Sequence, residues 1–302
     1  MIELVFLGTG SAIPTKRRNT SAIWLRYEGE SFLWDCGEGT QKQLMTAKLN
    51  FMKISRIFIT HWHADHWAGL LGLMQTMSLE KRKQPLYIYG PEAERFVGDL
   101  LDLDYWGPSF KVIPKKVPYE GKDETVIYET PQFYISSTPV NHTVPAVGYA
   151  IKVKDVWNVD IKKANKYGLK QGPLVGKLKE KGEIEFKGKT ITMKDVGVMK
   201  RGEKLVYSGD TRKCDALISL AKDADVLIHD STFLENREDR MHTGVKEAVE
   251  AAKKSNSKML VLTHFSRRYT DLKPLEKEAK SLFKNTRIAE DFMRMKIKGH
   301  ED

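Results

Sequence analysis

The stretch IFITHWHADHWAGL, residues 57–70, decides the fold of this chain because it joins a short apolar run to a dense group of metal-binding side chains. Only eight of the 302 residues are histidine, yet three of them fall within six positions here. A tight loop at a strand end can direct alternate side chains into one cleft, and imidazole nitrogen with carboxylate oxygen suits zinc or a similar divalent ion. The H-x-H-x-D-H pattern therefore predicts metal ligands at His61, His63, Asp65 and His66.

Four ligands are too many for one catalytic ion that keeps a position open for water, so they divide more naturally between two ions. Three further residues of ligand type follow other short apolar runs, and they are His142, Asp210 and His264. The predicted ligands of the first ion are His61, His63 and His142, and those of the second are Asp65, His66 and His264, with Asp210 bridging. Two ions about 3.5–4 Å apart polarise a phosphoryl or carbonyl oxygen and activate water, so the set predicts hydrolysis.

Composition describes a globular protein that stays inside the cell. Hydrophobic residues make up 41% of the chain and charged residues 30%, which excludes a disordered or fibrous protein. The sequence contains no long apolar run and no basic start followed by an apolar signal core, so we expect neither a membrane span nor secretion. The two cysteines, Cys36 and Cys214, are typical of a reducing cytoplasm, and we expect a cytoplasmic location.

Most of the excess positive charge lies in one segment, which we call the basic arm (residues 152–204). The chain has a formal net charge of +10, and the basic arm holds fifteen Lys/Arg against seven Asp/Glu. Glycines punctuate it and large apolar residues are few, so we expect it to protrude from the core of a single domain spanning residues 1–302. Two interpretations remain open at this point: an anion-binding element, or a solvated surface insertion.

Short β-rich runs alternate with helical patterns at both ends of the chain, which predicts a layered α/β fold with sheets inside and helices outside. The runs that predict strands in the first third are Leu4–Leu7, Ile23–Leu25, Phe32–Trp34 and Ile57–Thr60. Residues 63–81 predict a loop that turns into a helix, and helical patterns cover residues 91–104, 215–224 and 243–255.

The histidine hexad and the distant His, Asp and His ligands resemble the metallo-β-lactamase superfamily. That resemblance implies a four-layer αβ/βα sandwich with a dinuclear site at one edge. Further stretches resemble the ribonuclease Z family: FLGTGSAIPTKRRN with its P-x-K-x-R-N loop, FLWDCGEGTQKQL, YSGDTR and HFSRRY. The basic arm falls where that family inserts a flexible arm, or exosite, and Gly172-Pro173 resembles the arm's Gly-Pro motif. Two segments differ from the family pattern. This chain has HDST at 229–232 where the family commonly has H-E-A-T, and HTG at 242–244 where the family commonly has H-S-T.

The resemblance implies an endoribonuclease that cuts the 3′ trailer from precursor tRNA. Two zinc ions per subunit, or manganese, would hold the hydroxide that attacks the phosphodiester, with Asp65 accepting the proton of that water. His242, held protonated by Asp230, would protonate the leaving 3′ oxygen. The products would be a 3′-hydroxyl on the tRNA and a 5′-phosphate on the trailer.

The same resemblance implies a homodimer in which the basic arm of one subunit holds RNA that the other cuts. We expect substrate contacts at Lys16, Arg18, Asn19, Gly172, Pro173 and Arg268, and the neighbouring Arg17 and Arg267 are further candidates. The metal ligands alone leave two alternatives, a small-molecule hydrolase of the same fold and a non-catalytic RNA-binding module. The basic arm and the P-x-K-x-R-N loop disfavour the first, and the complete ligand set disfavours the second.

Overall fold

A computed structural model describes residues 1–102, 107–234 and 242–298. Residues 103–104 of one predicted helix and residues 237–241 before His242 lie outside the described part. The described residues form two compact units. The larger unit comprises Met1–Lys152 and Lys204–Ile297, and the second unit comprises Val153–Glu203 and the last described residue, Lys298.

Strands and short helices alternate along the described chain. The strands are β1 (Ile2–Gly8), β2 (Ala22–Tyr27), β3 (Glu30–Trp34), β4 (Ile54–Phe58), β5 (Leu86–Gly90), β6 (Val112–Lys116), β7 (Thr125–Glu129), β8 (Phe133–Pro139), β9 (Val147–Val153), β10 (Val156–Val159), β11 (Glu183–Phe186), β12 (Lys189–Thr192), β13 (Gly197–Lys200), β14 (Lys204–Tyr207), β15 (Val226–Asp230), β16 (Leu260–Thr263), β17 (Thr286–Ile288) and β18 (Arg294–Ile297). The helices are α1 (Thr40–Thr46), α2 (Ala64–Trp67), α3 (Leu70–Leu79), α4 (Ala93–Leu101), α5 (Ile161–Lys166), α6 (Pro173–Lys181), α7 (Met193–Val196), α8 (Asp215–Leu220), α9 (Val245–Lys254) and α10 (Lys273–Leu282), and a short 3₁₀ helix covers Phe51–Lys53.

Two seven-stranded mixed sheets form the larger unit. The first has the spatial order β18-β1-β2-β3-β4-β5-β6, and the second has the order β17-β16-β15-β14-β9-β8-β7. Strands β3 to β6 run parallel to one another, as do β14 to β17. Parallel neighbours end at the same edge of a sheet, so the loops that follow them meet there.

Aromatic side chains join the inner faces of the two sheets. Trp34 of β3 stacks on Tyr207 of β14 with ring centroids 5.7 Å apart, and Phe58 of β4 contacts Tyr149 of β9 at 5.5 Å. Edge-to-face and offset pairs of this kind add to the free energy gained by burying the rings. The sandwich is therefore held by a layer of aromatic contacts between β3, β4 and the facing strands.

Helices cover the outer face of each sheet because each helix has one apolar side. Helix α9 buries Val245, Ala248, Val249 and Ala252, a spacing of three and four residues that places them on one side. Helices α1, α3 and α4 pack on the first sheet in the same way, and α8, α9 and α10 on the second. The predicted four-layer αβ/βα sandwich is confirmed.

The second unit has an apolar core of its own. Its core residues are Val159, Ala164, Leu169, Val175, Leu178, Ile191 and Val196. Two antiparallel strand pairs, β10 with β13 and β11 with β12, form its sheet structure. This segment is therefore more ordered than its lysine-rich sequence indicates, while its predicted flexibility stays a prediction.

Of the helices in the described ranges, none has the length and apolar character needed to cross a membrane.

Candidate metal centre

The loops after four strands carry the predicted ligands to one edge of the sandwich. His61 lies three residues beyond the end of β4, His142 beyond β8, Asp210 beyond β14 and His264 directly after β16. Buried apolar strands fix these loops at their starting points, and polar side chains are found where each strand ends. The sequence prediction of ligands at several strand ends thus agrees with where the structure places them.

Three histidines form the first group. His63 Nδ1 lies 3.0 Å from His61 Nε2 and 3.1 Å from His142 Nε2. Their ligand atoms all lie within 4.8 Å of one another, which is close enough for one ion to bind all three. The group matches the predicted ligands of the first ion, and its occupation by metal stays a prediction.

Two carboxylates and two histidines form the second group. Asp210 Oδ2 lies 3.3 Å from Nε2 of both His66 and His264, and Asp65 Oδ2 lies 3.3 Å from His264 Nε2. Asp210 Oδ2 is also 3.8 Å from His61 Nε2 in the first group. Asp210 is thus the carboxylate that neighbours both groups, which is the position its predicted bridging role requires.

Hydrogen bonds on the far side of the imidazole rings fix which nitrogen faces the site. The hydroxyl of Thr60 donates to Asp35 Oδ1 (3.0 Å), so its oxygen can accept from Nδ1 of His61 (3.1 Å). His66 Nδ1 donates directly to Asp35 Oδ2 at 2.7 Å. In both rings a proton held on Nδ1 makes Nε2 the nitrogen that can offer a lone pair to a metal ion.

Asp35 is one of two site residues that the sequence motifs did not indicate. It is fully buried after β3, and it also accepts hydrogen bonds from the Thr60 amide (2.8 Å) and the Tyr207 hydroxyl (2.9 Å). The signal was present in FLWDCGEG, where an aspartate ends an apolar run just as the predicted ligands do. Asp35 acts by orienting the histidines and is absent from the groups that could hold an ion.

His242 and Asp230 form the predicted acid pair beside the second group. His242 Nδ1 lies 3.1 Å from Asp230 Oδ2, so an aspartate reaches this histidine where the family commonly has glutamate. The Thr232 hydroxyl donates to Asp230 Oδ1 (2.7 Å) and lies 2.9 Å from His264 Nδ1. Thr232, also missed from sequence, therefore links the acid pair to the metal ligands. His242 itself could join a third group, with Asp210, Asp230 and His264.

Two backbone features bring the loops close together. Gly209 has a φ of 58°, and a Cβ at this position would lie 2.8 Å from Thr60 Cβ, so glycine permits the approach of the loop that carries Asp210. Asp35 and His264 also have positive φ, 58° and 63°, which side chains other than glycine adopt at a cost. Such conformations persist where surrounding contacts enforce them, and they cluster at functional sites.

The two groups differ in their charge state. Burial and the neighbouring histidines hold the pKa of His61 well below its usual value. Burial also lowers the pKa of His264, but Asp210, Asp230 and Asp65 outweigh it and raise that pKa to about 10. The pKa of His66 likewise lies well above its usual value, because the nearby carboxylates raise it by more than burial lowers it. Metal binding requires the lone pair on Nε2, so binding at the second group would release protons.

The donor set fits two metal ions. His66 Nε2 and Asp210 Oδ1 are buried and have no hydrogen-bond partner in the described structure. Buried polar atoms are rarely left unsatisfied in proteins, and a metal ion is one partner that would satisfy both. Nitrogen and carboxylate oxygen ligands suit zinc, with manganese as an alternative where carboxylates dominate.

The predicted substrate contacts lie in different environments. The Arg18 guanidinium donates to the carbonyls of Ser266 (3.2 Å) and Tyr269 (2.7 Å), so it joins the P-x-K-x-R-N loop to the loop after β16. Asn19 Nδ2 donates to the Glu38 carbonyl at 2.7 Å. Lys16, Gly172, Pro173 and Arg268 are exposed. Their contact with RNA stays a prediction.

Two clefts adjoin the metal centre. The first, about 330 Å³, includes His242, Arg267 and Arg268 in its lining. The second, about 490 Å³, includes His142, Arg212 and Lys213. His142 and His242 have ring centroids 5.2 Å apart, so the two clefts approach each other across this pair.

Comparison with known proteins agrees with this geometry. The family model described as beta-lactamase superfamily domain matches residues 186–265, and that of the anti-Pycsar protein Apyc1 matches residues 2–100. The ribonuclease Z of Pyrococcus horikoshii is 43% identical over 307 residues, covering 100% of this chain and 98% of that protein. The ribonuclease Z of Methanosarcina acetivorans is 40% identical and covers 98% of both.

Solved structures show the same fold. The crystal structure of the short form of human tRNase Z has a TM-score of 0.72 and 30% identity, covering 98% of this chain and 99% of that one. The metallo-β-lactamase fold protein YhfI from Bacillus subtilis has a TM-score of 0.69 at 20% identity, covering 97% of this chain and 98% of that one. At that identity the YhfI match supports the fold alone.

The sandwich and its histidine and aspartate groups define a hydrolase of metallo-β-lactamase fold that is equipped to bind metal. Within that class, sequence identity across nearly the whole chain identifies the family. The chain belongs to the ribonuclease Z family, a family of endoribonucleases.

Proposed function

We propose that this chain is a zinc-dependent endoribonuclease that removes the 3′ trailer from precursor tRNA. Cleavage would leave a 3′-hydroxyl on the tRNA and a 5′-phosphate on the trailer. The observation that carries the proposal is the juxtaposition of two metal-binding groups with the His242–Asp230 pair. Its membership of the ribonuclease Z family supports the choice of substrate.

The proposed cofactor is two zinc ions per subunit, held by the two groups and shared through Asp210, with manganese as the alternative ion. When bound, such ions would activate water and neutralise charge on the phosphoryl oxygens. The chain contributes the positions of the ligands. The Ala12 amide donates to Asp65 Oδ2 at 2.7 Å, and this bond restrains the carboxylate that we expect to accept a proton from the attacking water.

The leaving 3′ oxygen needs a proton, and His242 is the proposed donor. Burial lowers the pKa of His242, but the hydrogen bond and charge of Asp230 outweigh it, so the pKa lies above its usual value. A histidine that stays protonated near neutral pH can act as a general acid. Asp230 positions the ring through Nδ1, which leaves Nε2 to face the substrate.

The second unit is proposed to recognise the folded tRNA. The sequence of this basic arm is rich in lysine, and Gly172 and Pro173 are exposed where α6 begins. Cationic side chains that contact phosphates bind RNA by charge and shape more than by base sequence. Near the cut, Lys16, Arg18, Asn19 and Arg268 are the proposed contacts, and of these Arg18 also holds two loops together.

We further propose that the protein is a homodimer located in the cytoplasm. Cys36 and Cys214 are both buried free thiols, which suits a reducing compartment. Light scattering of the purified protein tests the dimer, and a mass equal to one chain at working concentration would contradict it.

The experiment that tests the function compares cleavage of a 3′-extended precursor tRNA with and without a chelator. We expect a single cut after the last paired region of the tRNA, loss of activity with chelator, and recovery with added zinc. Hydrolysis of a small phosphodiester without cleavage of precursor tRNA would favour a small-molecule hydrolase. RNA binding without any hydrolysis would favour a non-catalytic binding module.

A further inference from the structure

The second cleft beside the metal centre is not used by the proposed chemistry. Its lining is formed by Val140, Asn141, His142, Arg212, Lys213 and Glu247. Only one of these side chains is apolar, so the cleft is suited to a polar, charged ligand and not to an apolar one. Its volume of about 490 Å³ exceeds the 330 Å³ of the first cleft.

Backbone hydrogen bonds build this cleft as one fixed surface. The Asn141 amide donates to Thr211 Oγ1 (3.2 Å), and the Arg212 amide donates to the Asn141 carbonyl (2.9 Å). The Asn141 side chain donates to the Lys213 carbonyl at 3.1 Å. The loop that carries His142 and the loop that carries Asp210 are therefore joined, and the two basic side chains project from a framework anchored to predicted metal ligands.

The charged side chains of the cleft allow an anion to bind. Lys213 Nζ lies 3.0 Å from Glu250 Oε1, but both side chains are about half exposed, at 48% and 40%. Exposed ion pairs of this kind contribute little stability and exchange readily for another anion. Glu247 accepts from the Gly244 amide at 3.3 Å, so its carboxylate is engaged at the start of α9.

A strand with its scissile phosphate at the metal centre must leave the centre on both sides of the cut. His242, the proposed donor to the leaving 3′ oxygen, lines the first cleft with Arg267 and Arg268. The tRNA side of the cut therefore begins at the first cleft. His142 belongs to the first group and also lines the second cleft, so the segment that follows the cut can leave the centre toward Arg212 and Lys213.

We propose that the second cleft is a binding subsite for the trailer, in which Arg212 and Lys213 contact the first phosphates after the cut. This inference rests on the proposed function. It assigns to the subsite a ligand class, a single-stranded RNA segment with a 5′-phosphate. Contacts of this type bind the backbone and leave the base sequence of the trailer free to vary.

The test uses the full-length, zinc-loaded protein and the double variant Arg212→Ala/Lys213→Ala. With a trailer of about eight nucleotides, we expect kcat/KM to fall roughly 10-fold to 100-fold, the loss typical of two charge-assisted phosphate contacts. With a one-nucleotide trailer we expect less than about a 3-fold loss, because such a trailer has no phosphate beyond the scissile one at the metal centre. The matched control is Lys254→Ala, which removes another partner of Glu250 outside the cleft and should cleave both substrates like the unmodified protein.

A binding measurement gives a readout other than turnover. Fluorescence anisotropy with a 5′-phosphorylated trailer oligonucleotide should show weaker binding by the double variant and a salt dependence reduced by about one unit of slope per lost contact. Equal losses for short and long trailers, or unchanged oligonucleotide binding, would overturn the subsite. If the double variant loses zinc, the milder variants Arg212→Gln and Lys213→Gln take its place in the same comparison. Failure of the unmodified protein to cut precursor tRNA would instead reject the proposed function itself.

Discussion

The metal centre and the second unit differ in how far their polar and charged side chains are exposed to solvent. In the centre, the predicted ligands His61, His66 and Asp210 are buried, and hydrogen bonds to Thr60 and Asp35 orient the His61 and His66 rings. In the second unit, most lysines are exposed around a small apolar core. Under the proposed function, chemistry would depend on buried, hydrogen-bonded side chains, and recognition of a large polyanion would depend on a solvated, charged surface.

Substituting Asp210 should have the largest effect, because its carboxylate neighbours both groups. We expect Asp210→Ala to lower cleavage of every substrate by at least about 1,000-fold, since the ions supply several kcal/mol of transition-state stabilisation. Elemental analysis should show loss of bound metal. The control is Asp215→Ala, an exposed aspartate at the start of α8, which should keep both metal and activity. Full metal content in Asp210→Ala would refute a ligand role.

Deleting residues 155–200 separates the two regions directly. Val153 and Glu203 share a backbone hydrogen bond of 2.9 Å, so a short turn can close the gap. We expect processing of precursor tRNA to fall by more than about 100-fold through the loss of many phosphate contacts, while hydrolysis of a small phosphodiester is spared. Steady-state kinetics on both substrates makes the measurement. Equal loss on both substrates would contradict separate roles for the metal centre and the second unit.

Replacing His242 tests proton transfer within the centre. We expect His242→Ala to lower kcat on precursor tRNA about 100-fold to 1,000-fold, the range for loss of a general acid, with metal content unchanged. A phosphodiester with a p-nitrophenolate leaving group needs no proton, so its hydrolysis should change far less. A variant that lacks metal would identify His242 as a ligand, as its proximity to Asp210 and His264 allows.

Substituting Asp35 should have the smallest of these effects, and closely matched control variants are available for it. We expect Asp35→Asn to weaken metal affinity about 10-fold to 100-fold, as is typical when a group that orients a ligand is changed. Tyr207→Phe, which removes one donor to Asp35, should have a smaller effect in the same direction. The control Tyr149→Phe removes an equally buried hydroxyl, which donates to the Ile59 carbonyl and not to Asp35. The metal affinity of this variant, measured by competition titration, should be unchanged. An unchanged affinity in Asp35→Asn would contradict the orienting role.

The sequence predicts the layers and the candidate ligands well because both depend on local patterns. Each ligand follows an apolar run, and parallel strands bring such positions to one edge of the fold. The predicted strand 57–60 is displaced, since β4 ends at Phe58 and Thr60 leaves the ladder to donate its amide to Asp35. Residues 63–81, predicted as a loop turning into a helix, form the two helices α2 and α3. They are divided near Gly69, where a Cβ would clash with the Gly37 carbonyl oxygen.

What the sequence could not reveal depends on contacts between distant segments. His63 presents Nδ1 where His61 and His142 present Nε2, a choice that follows from the loop conformation. The hydrogen bonds of Asp35 and Thr232 join residues far apart in the chain. The core of the second unit was hidden because its apolar residues are spread singly among lysines, without a periodic run that would indicate a buried face.

The place where the second unit enters the chain has an evolutionary consequence. It is inserted between β9 and β14, two antiparallel neighbours in which Lys152 pairs with Lys204. Strands so joined need only a short turn, and lengthening a connection costs little free energy because loop-closure entropy grows slowly with length. This position therefore accepts extra chain without altering the pairing of the two strands, so a hydrolase of this fold can gain, exchange or lose an inserted unit here while the edge that carries the candidate ligands is inherited unchanged.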